Sequence, residues 1–303
     1  MKNIEKNKIP FAMGILLWSC VVLAAAAMMS CQKYAATLPD PVAVTPPDPG
    51  KDWKLVWSDE FDYTGLPDAK KWGYEEGYVR NNEDQYYTKA RLANAYVQDG
   101  VLNIKAIKES FPNKDYNNAS LIASEQAWKT VNQNAKYTSA CLITKDLASW
   151  TYGKIELKAK LPSGNGVFPA IWTMGTNIYS AGWPLCGEID IMEFVGRTPA
   201  NISGAIHYQS PTNGSSAVTQ SFSAIANPSS QYHIYTLIWN DSKIELQLDN
   251  KTFHTFYTAT AGDIFKKPQY MLLNMALGGV TGGTIDDSAL PQVYQIDYVR
   301  VYQ

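Results

Sequence analysis

From residue 53 onwards the chain is written in short alternating runs. Lys154-Ile-Glu-Leu-Lys-Ala-Lys-Leu161 sets charged and apolar side chains in strict succession, the period of a strand with one wet and one buried face. Tyr96–Ala106 carries Asp99-Gly100 between two apolar stretches, a strong hairpin signal. Ile234–Trp239, Lys243–Leu248 and Thr252–Tyr257 repeat the pattern, with turns at Asn240-Asp241 and Asp249-Asn250, and Tyr294–Tyr302 forms a last strand. No run of ten or more residues shows a helical stripe with caps. Many short strands without alternating helices predict an all-β sandwich of antiparallel sheets. There are no internal repeats and no second domain, and the Asn-rich stretch Asn113–Asn134 reads as long surface loops.

The first fifty residues follow a different pattern. Lys2, Lys6 and Lys8 precede a mostly apolar run from Ile9 to Met29, the layout of a secretory signal. Ser30-Cys31 follows, and the run stops at Gln32-Lys33. This resembles a bacterial lipoprotein signal in which Cys31 becomes the lipidated first residue, although Met28 stands where Leu is usual. Leu17-Trp-Ser-Cys20 is a rival site, but it would leave the apolar Val21–Ala27 at the new terminus. An uncleaved anchor is the other alternative, since the run is long enough to span a membrane. All three place the domain outside the cytoplasm, and the lipoprotein reading places it on a bacterial membrane facing the cell surface or the periplasm. Residues 32–52, with Pro39, Pro41, Pro46, Pro47 and Pro49, read as a semi-extended linker. The expected division is therefore a signal segment over 1–31, a linker over 32–52 and one domain over 53–303.

Composition narrows the function. The chain has 303 residues and a net charge of −2, which gives no support for nucleic acid as a partner, and a monomer is expected. Of four Cys, Cys20 and Cys31 belong to the export segment. Cys141 and Cys186 could bridge outside the cytoplasm, but spacing cannot establish that, and free packing residues are favoured. Three scattered His without ligand spacing give no transition-metal site.

The chemistry concentrates in Trp183-Pro-Leu-Cys-Gly-Glu-Ile-Asp-Ile-Met-Glu-Phe194. In a strand, Glu188 and Asp190 share one face while Ile189 and Ile191 take the other. Unpaired carboxylates are costly to bury, so the charged face should open on a cleft. Glu193, five residues after Glu188, would point away in a regular strand. One extra residue, a β-bulge, swings it back. Two carboxyls roughly 5–5.5 Å apart are what a retaining glycosidase needs. A solvated acidic edge or a calcium site is the alternative. One short strand surrounds a hard cation poorly, however, and the apolar neighbours argue against a purely solvated edge.

Glu188-Ile-Asp-Ile-Met-Glu193 resembles the active-site strand of glycoside hydrolase family 16, in its bulged, laminarinase-like form. The resemblance runs from about Trp53 to Gln303. It includes Trp57-Ser-Asp-Glu-Phe61, Asn82-Glu83 with Gln85-Tyr-Tyr-Thr88, Tyr152-Gly-Lys-Ile-Glu156 and Gly166-Val-Phe-Pro-Ala-Ile-Trp172. Leu273-Asn274, Gly278-Gly279 and Ile296-Asp-Tyr-Val-Arg-Val-Tyr302 complete it. It implies a β-jelly roll with a concave substrate cleft, and a retaining endo-β-glycosidase acting on β-1,3-glucan or mixed-linkage β-glucan.

Residue by residue, the resemblance implies Glu188 as nucleophile, Glu193 as acid/base and Asp190 as the assisting carboxyl. Trp172 and Trp183 line the cleft near the scissile bond, Asn82 binds a sugar on the non-reducing side, and His207 lies near the acid/base. His233 and His254 are expected to be structural. Catalysis needs no cofactor. A structural calcium ion is implied at the backbone carbonyls of Glu60 and Gly100 and the side chain of Asp297, although Asp297 could instead simply cap a hydrogen-bond network. Two departures bear on substrate: Phe168 stands where a Trp is usual before Pro-Ala, and no Trp follows Gly278-Gly279. An endo-β-galactosidase acting on galactan or mucin-type glycans, or a carbohydrate-binding protein on the same fold, are the alternatives. A transglycosylase using the same residues is a third.

Overall fold

The computed structural model describes residues 52–303. The expected signal segment, Cys31 and all but the last residue of the expected linker lie outside them. Strands follow one another along the described chain as β1 (Leu55–Asp59), β2 (Gly73–Glu75), β3 (Gln85–Tyr87), β4 (Ala95–Gln98), β5 (Val101–Pro112) and β6 (Asn134–Ser139). Then come β7 (Cys141–Ile143), β8 (Gly153–Lys160), β9 (Val167–Gly175), β10 (Glu188–Phe194), β11 (Asn201–Gln209) and β12 (Ser216–Ala224). The last are β13 (His233–Trp239), β14 (Lys243–Leu248), β15 (Lys251–Tyr257), β16 (Gln269–Leu277) and β17 (Gln292–Tyr302). The helical pieces between them are of three or four residues, as expected from the absence of helical periodicity.

The strands form the expected all-β, jelly-roll-like sandwich. One sheet runs β15-β14-β13-β8-β17-β5-β6-β3, with β1 also on β17 and β4 also on β5. The other runs β12-β11-β10-β9-β16-β7-β2. Pairing is antiparallel except that β3 lies parallel to β6. The turns expected from sequence hold the hairpins. Asp99 and Gly100 both have positive φ between the paired Gln98 and Val101, and Asp249 and Asn250 do the same between Leu248 and Lys251. Two-residue turns of this kind match the strand twist, and Asn, Asp and Gly tolerate the left-handed backbone.

The core lies between the sheets. Leu157, Leu237 and Val299 come from one side and Ile189, Phe194 and Leu273 from the other. The seven-stranded sheet is unusual in having a second buried face. Every residue of β9 and β16 is buried. Ile171, Met271 and Leu273 enter the main core, while Trp172, Met174, Tyr270 and Leu272 join a separate cluster with Tyr87, Cys141 and Cys186. Strands buried on both faces need loops over their outer surface. The segment 76–92, around β3, contributes Val79 and Tyr87 to that cover.

Two expectations need correction. β8 does not have a uniformly wet face: Glu156 is buried and accepts hydrogen bonds from Lys154 Nζ at 2.8 Å and Tyr298 OH at 2.9 Å. Pairing makes burial of this carboxylate tolerable. The Asn113–Asn134 stretch is not simply loop. It holds two short helical turns, Ala119–Ile122 and Ala127–Thr130, and the buried Asn113 ties it shut through Lys129 O at 2.8 Å and Asn132 O at 2.9 Å.

Candidate active site

The expected bulge sits in the middle of β10. Against β11, Asp190 pairs with Ala205 and Glu193 with Ser203, so three steps on β10 match two on its neighbour. Against β9, Asp190 pairs with Trp172 and Glu193 with Ala170. The extra residue returns Glu193 to the face of Glu188 and Asp190. Ile189, Ile191, Met192 and Phe194 all go to the core. Gly187 makes the entry possible: its φ is +76°, and a Cβ there would meet Ile264 at 2.6 Å.

The three carboxyls line one pocket with Arg80, Asn81, Glu83, Phe168, Ala170, Trp172 and Asn274. Trp183 Nε1 donates to Glu188 Oε2 at 2.9 Å. Ser203 Oγ and Gln220 Nε2 donate to Glu193 Oε2 at 3.2 and 3.4 Å. His207 Nε2 lies 3.2 Å from Asp190 Oδ2, close enough for an ion pair but not aligned for a hydrogen bond. Trp172 is 6% exposed and fixed at its edge by Asn274 Oδ1, 2.8 Å from its Nε1. Asn274 Nδ2 in turn donates to Tyr87 OH at 2.9 Å. The Arg80 guanidinium, paired with Glu75, stacks 4.8 Å from the Trp172 ring centroid.

All three carboxyls are harder to ionise than usual. Burial, then the charge of Asp190, pushes Glu188 up to about 8, against the pull of His207 and the Trp183 donor. Burial and the charge of Glu193 raise Asp190 far above the usual range. Burial raises Glu193, opposed by Ser203, His207 and Gln220. Three crowded acids, with Asp190 buried among them, resist being anions together, so the cluster retains protons at neutral pH. Glu188, Asp190 and His207 also bring one ligand atom each within 4.8 Å, a group that could coordinate a metal ion.

Of the residues expected from sequence, Trp172, Trp183 and His207 meet the carboxyls. Asn82 does not line their pocket. It opens instead on a neighbouring cavity with Tyr78, Asp84, Trp128 and Lys136, and Glu83 is shared between the two. Asn81 and Asn82 are also the turn residues their type suggests. Both have positive φ, and Glu83 N donates to Arg80 O at 3.1 Å across the turn. Glu83 lies in the resembling segment without an implied role, and nothing in the sequence assigns Arg80 and Asn81 a role at the site, because only folding brings that turn over β9. His233 and His254 are structural, bonded to Asp249 and Ala226 O, and to Thr219 and Ser221. Cys141 and Cys186 are buried and free.

In the other sheet, Asp59 of β1 pairs with Val299, and Ile296 of β17 pairs with Leu102. This brings the neighbourhoods of Glu60, Gly100 and Asp297 to one side of the ten-stranded sheet. Their oxygens suit a hard cation. The Asp297 carboxylate, however, pairs with Lys158 Nζ at 2.6 Å, and Glu60 uses its own carboxylate on Arg300. A cation here would have to displace Lys158 from the Asp297 carboxylate.

The family model described as glycosyl hydrolases family 16 matches residues 84–300. A curated relative, a beta-glucanase from Rhodothermus marinus, is 38% identical over 84% of this chain and 87% of its own. The solved structure of LamAcat from Zobellia galactanivorans is 36% identical, covers 82% of this chain and 98% of its own, and superposes with a TM-score of 0.72. A structure described through endo-acting O-glycanases of human gut microbiota that initiate mucin breakdown is 33% identical. It covers 85% of this chain and 94% of its own, with a TM-score of 0.76.

The raised pKa of Glu188 has a consequence for stability. Between about 4.5 and about 8 the folded protein holds a proton that the unfolded chain has released. Stability present below the unfolded pKa is therefore lost as pH rises through the folded one. Glu188→Gln removes that titration. Its melting temperature is expected to gain on the wild type as pH climbs through this window, measured by calorimetry in matched buffers. A gap independent of pH would show that Glu188 titrates alike in the folded and unfolded chain.

Proposed function

This chain belongs to glycosyl hydrolases family 16, as a retaining, endo-acting glycoside hydrolase, and we propose that it cuts β-1,3-glucan or mixed-linkage β-glucan with Glu188 as nucleophile and Glu193 as acid/base. The observation that carries the reading is the bulge that turns both glutamates to one face with Asp190 between them. A glycosidic bond breaks through an oxocarbenium-like transition state. Glu193 gives its proton to the leaving oxygen as that bond breaks, and Glu188 forms the bond to the anomeric carbon. Water, deprotonated by Glu193, then releases the sugar from Glu188 and restores both groups.

Attack needs Glu188 as an anion, although burial favours its protonated form. Asp190, the most buried of the three at 4% exposure, takes the proton and returns it as a hydrogen bond, and the Trp183 N–H stabilises the charge that remains. Trp172, held by Asn274 and backed by Arg80, offers a platform beside the carboxyls. Asn82 and Trp128, one cavity further on, extend the surface for the next sugar on the non-reducing side. A second reading, an endo-β-galactosidase on galactan or mucin-type glycans, draws on Phe168 in the pocket wall and on the likeness to the mucin-acting structure. A panel of laminarin, mixed-linkage glucan, galactans and mucin glycans, with products sized, decides between them. Release of galactose-ended products alone would overturn the glucan assignment.

The roles of the two glutamates are separable with azide and an aryl glycoside. Glu193→Ala leaves the covalent intermediate able to form, so azide is expected to yield the β-glycosyl azide. Glu188→Ala leaves a gap for direct attack, so the α-azide is expected. Proton NMR of the products reads the difference, and the reverse pattern would exchange the assignments.

A structural calcium ion at the Glu60 and Gly100 carbonyls and the Asp297 carboxylate belongs to the same reading, as ballast for the fold and not for the reaction. Calcium is expected to raise the melting temperature of the wild type and not of Asp297→Ala. An equal response in both would place the ion elsewhere.

The domain is tethered outside the cytoplasm by a lipid on Cys31, with the Pro-rich linker holding it off the bacterial membrane. Cys31→Ala is expected to release the domain from the membrane fraction or to stall processing. Mass spectrometry of a mature terminus without a diacylglyceryl-cysteine would remove the anchor from the account.

A further inference from the structure

We infer that Phe222, on the edge strand β12, is the sugar platform of a leaving-group subsite on the far side of the carboxyls from Trp172. The inference rests on the retaining, endo-acting reading above, and it starts from register. Across the seven-stranded sheet, Ala170 pairs with Glu193, Glu193 with Ser203, and Ser203 with Phe222. One row along, Trp172, Asp190, Ala205 and Gln220 align, and beyond them Met174, Glu188, His207 and Val218. Val218, Gln220 and Phe222 therefore continue the face that carries the carboxyls. Two contacts confirm the facing. Gln220 donates to Glu193, while Thr219 and Ser221, which alternate with these residues, turn inward to His254 on β15.

Phe222 is 68% exposed and Val218 is 55% exposed on this edge. An exposed aromatic ring on this edge strand lacks a structural reason, since it is outside the core and Thr219 and Ser221 make the contacts to the other sheet. Neighbouring strands lie about 4.8 Å apart, so Phe222 stands roughly 10 Å across the sheet from Glu193. The pocket with Arg80, Asn81, Trp172 and Asn274 lies on the opposite side, over β9 and β16. If that side holds the non-reducing part of the chain, the part that leaves with the proton from Glu193 must cross β11 and β12. A pyranose ring presents an apolar face of axial C–H groups, and an exposed aromatic ring is the surface that binds it. An endo-acting enzyme needs such contacts on both sides of the bond it cuts.

Phe222→Ala tests the assignment. On β-linked oligosaccharides of increasing length, kcat/KM is expected to fall roughly tenfold, the size of one lost aromatic contact. The loss should sit mainly in KM, because the ring is touched alike in ground and transition states. It should shrink as the leaving part shortens, and be smallest on an aryl glycoside. Oligosaccharides labelled at the reducing end should also be cut at a different bond. Phe222→Trp should restore both length dependence and cleavage site, and Tyr257→Ala, comparably exposed on β15 of the other sheet, serves as the control. Equal losses on long oligosaccharides and on the aryl glycoside, or no loss on either, would overturn the subsite. A wild type that cuts no glucan defeats the substrate assignment instead. The comparison is then made on the β-linked galactan that is cut, since the platform requires a pyranose face and not a particular sugar.

Discussion

A central strand of a sandwich must satisfy two environments at once, and β10 does so with one residue too many. Its inner face is apolar and closes the core through Ile189, Ile191, Met192 and Phe194. Its outer face carries three acids. Without the bulge, the two-residue period would drive Glu193 into the core or Phe194 into the pocket. Placing two consecutive residues, Ile191 and Met192, on the inner side lets both faces keep their chemistry. The positions of Trp172, His207 and Phe222 follow from this register, because each is set by its pairing with β10 or with the strand beyond it.

Carboxyls can stay on that face only because the pocket supplies partial compensation. Indole, hydroxyl and amide donors reach Glu188 and Glu193, and an imidazole stands beside Asp190. Against three carboxyls these partners offer at most one positive charge, on the imidazole. The nearest guanidinium, Arg80, is committed to Glu75 and lies over Trp172. The cluster therefore stays short of positive charge and keeps its protons. Such an arrangement costs stability at neutral pH and supplies the acid and the nucleophile that one reaction needs from identical side chains.

The second buried face of the sheet is as important to the site as the first. Tyr87, Cys141, Cys186, Tyr270 and Leu272 cluster on the same face as the carboxyls, with Ala170 and Trp172 shared between cluster and pocket. Trp172 is built into its edge by Asn274 and Tyr87. The turn at Asn81-Asn82 then sits above this support and divides its side chains between two cavities. Hydrogen bonds and stacking thus hold Trp172 beside the carboxyls. The other flank is an edge strand with exposed Val218 and Phe222, open to a polymer that enters from the side.

Alternation, turn residues and the acidic motif were local facts, and the sequence alone determined what they decide: an all-β sandwich, the hairpin turns at 99–100, 240–241 and 249–250, the bulge and the identity of its three acids. Those features depend on periods of two residues and on backbone preferences at Asp99-Gly100 and Asp249-Asn250, which need no distant partner. The pairing of Glu156 with Tyr298, the fold of 113–134 and the choice of Asn81 over Asn82 for the carboxyl pocket were not legible. None of them leaves a periodic or turn-residue signal: Glu156 meets a strand 142 residues away, and 113–134 is closed by side-chain bonds of Asn113 to Lys129 and Asn132. The same holds for the proton affinity of Glu188, which depends on how deeply the fold buries it, and for the facing of Phe222, which only the register of three strands decides.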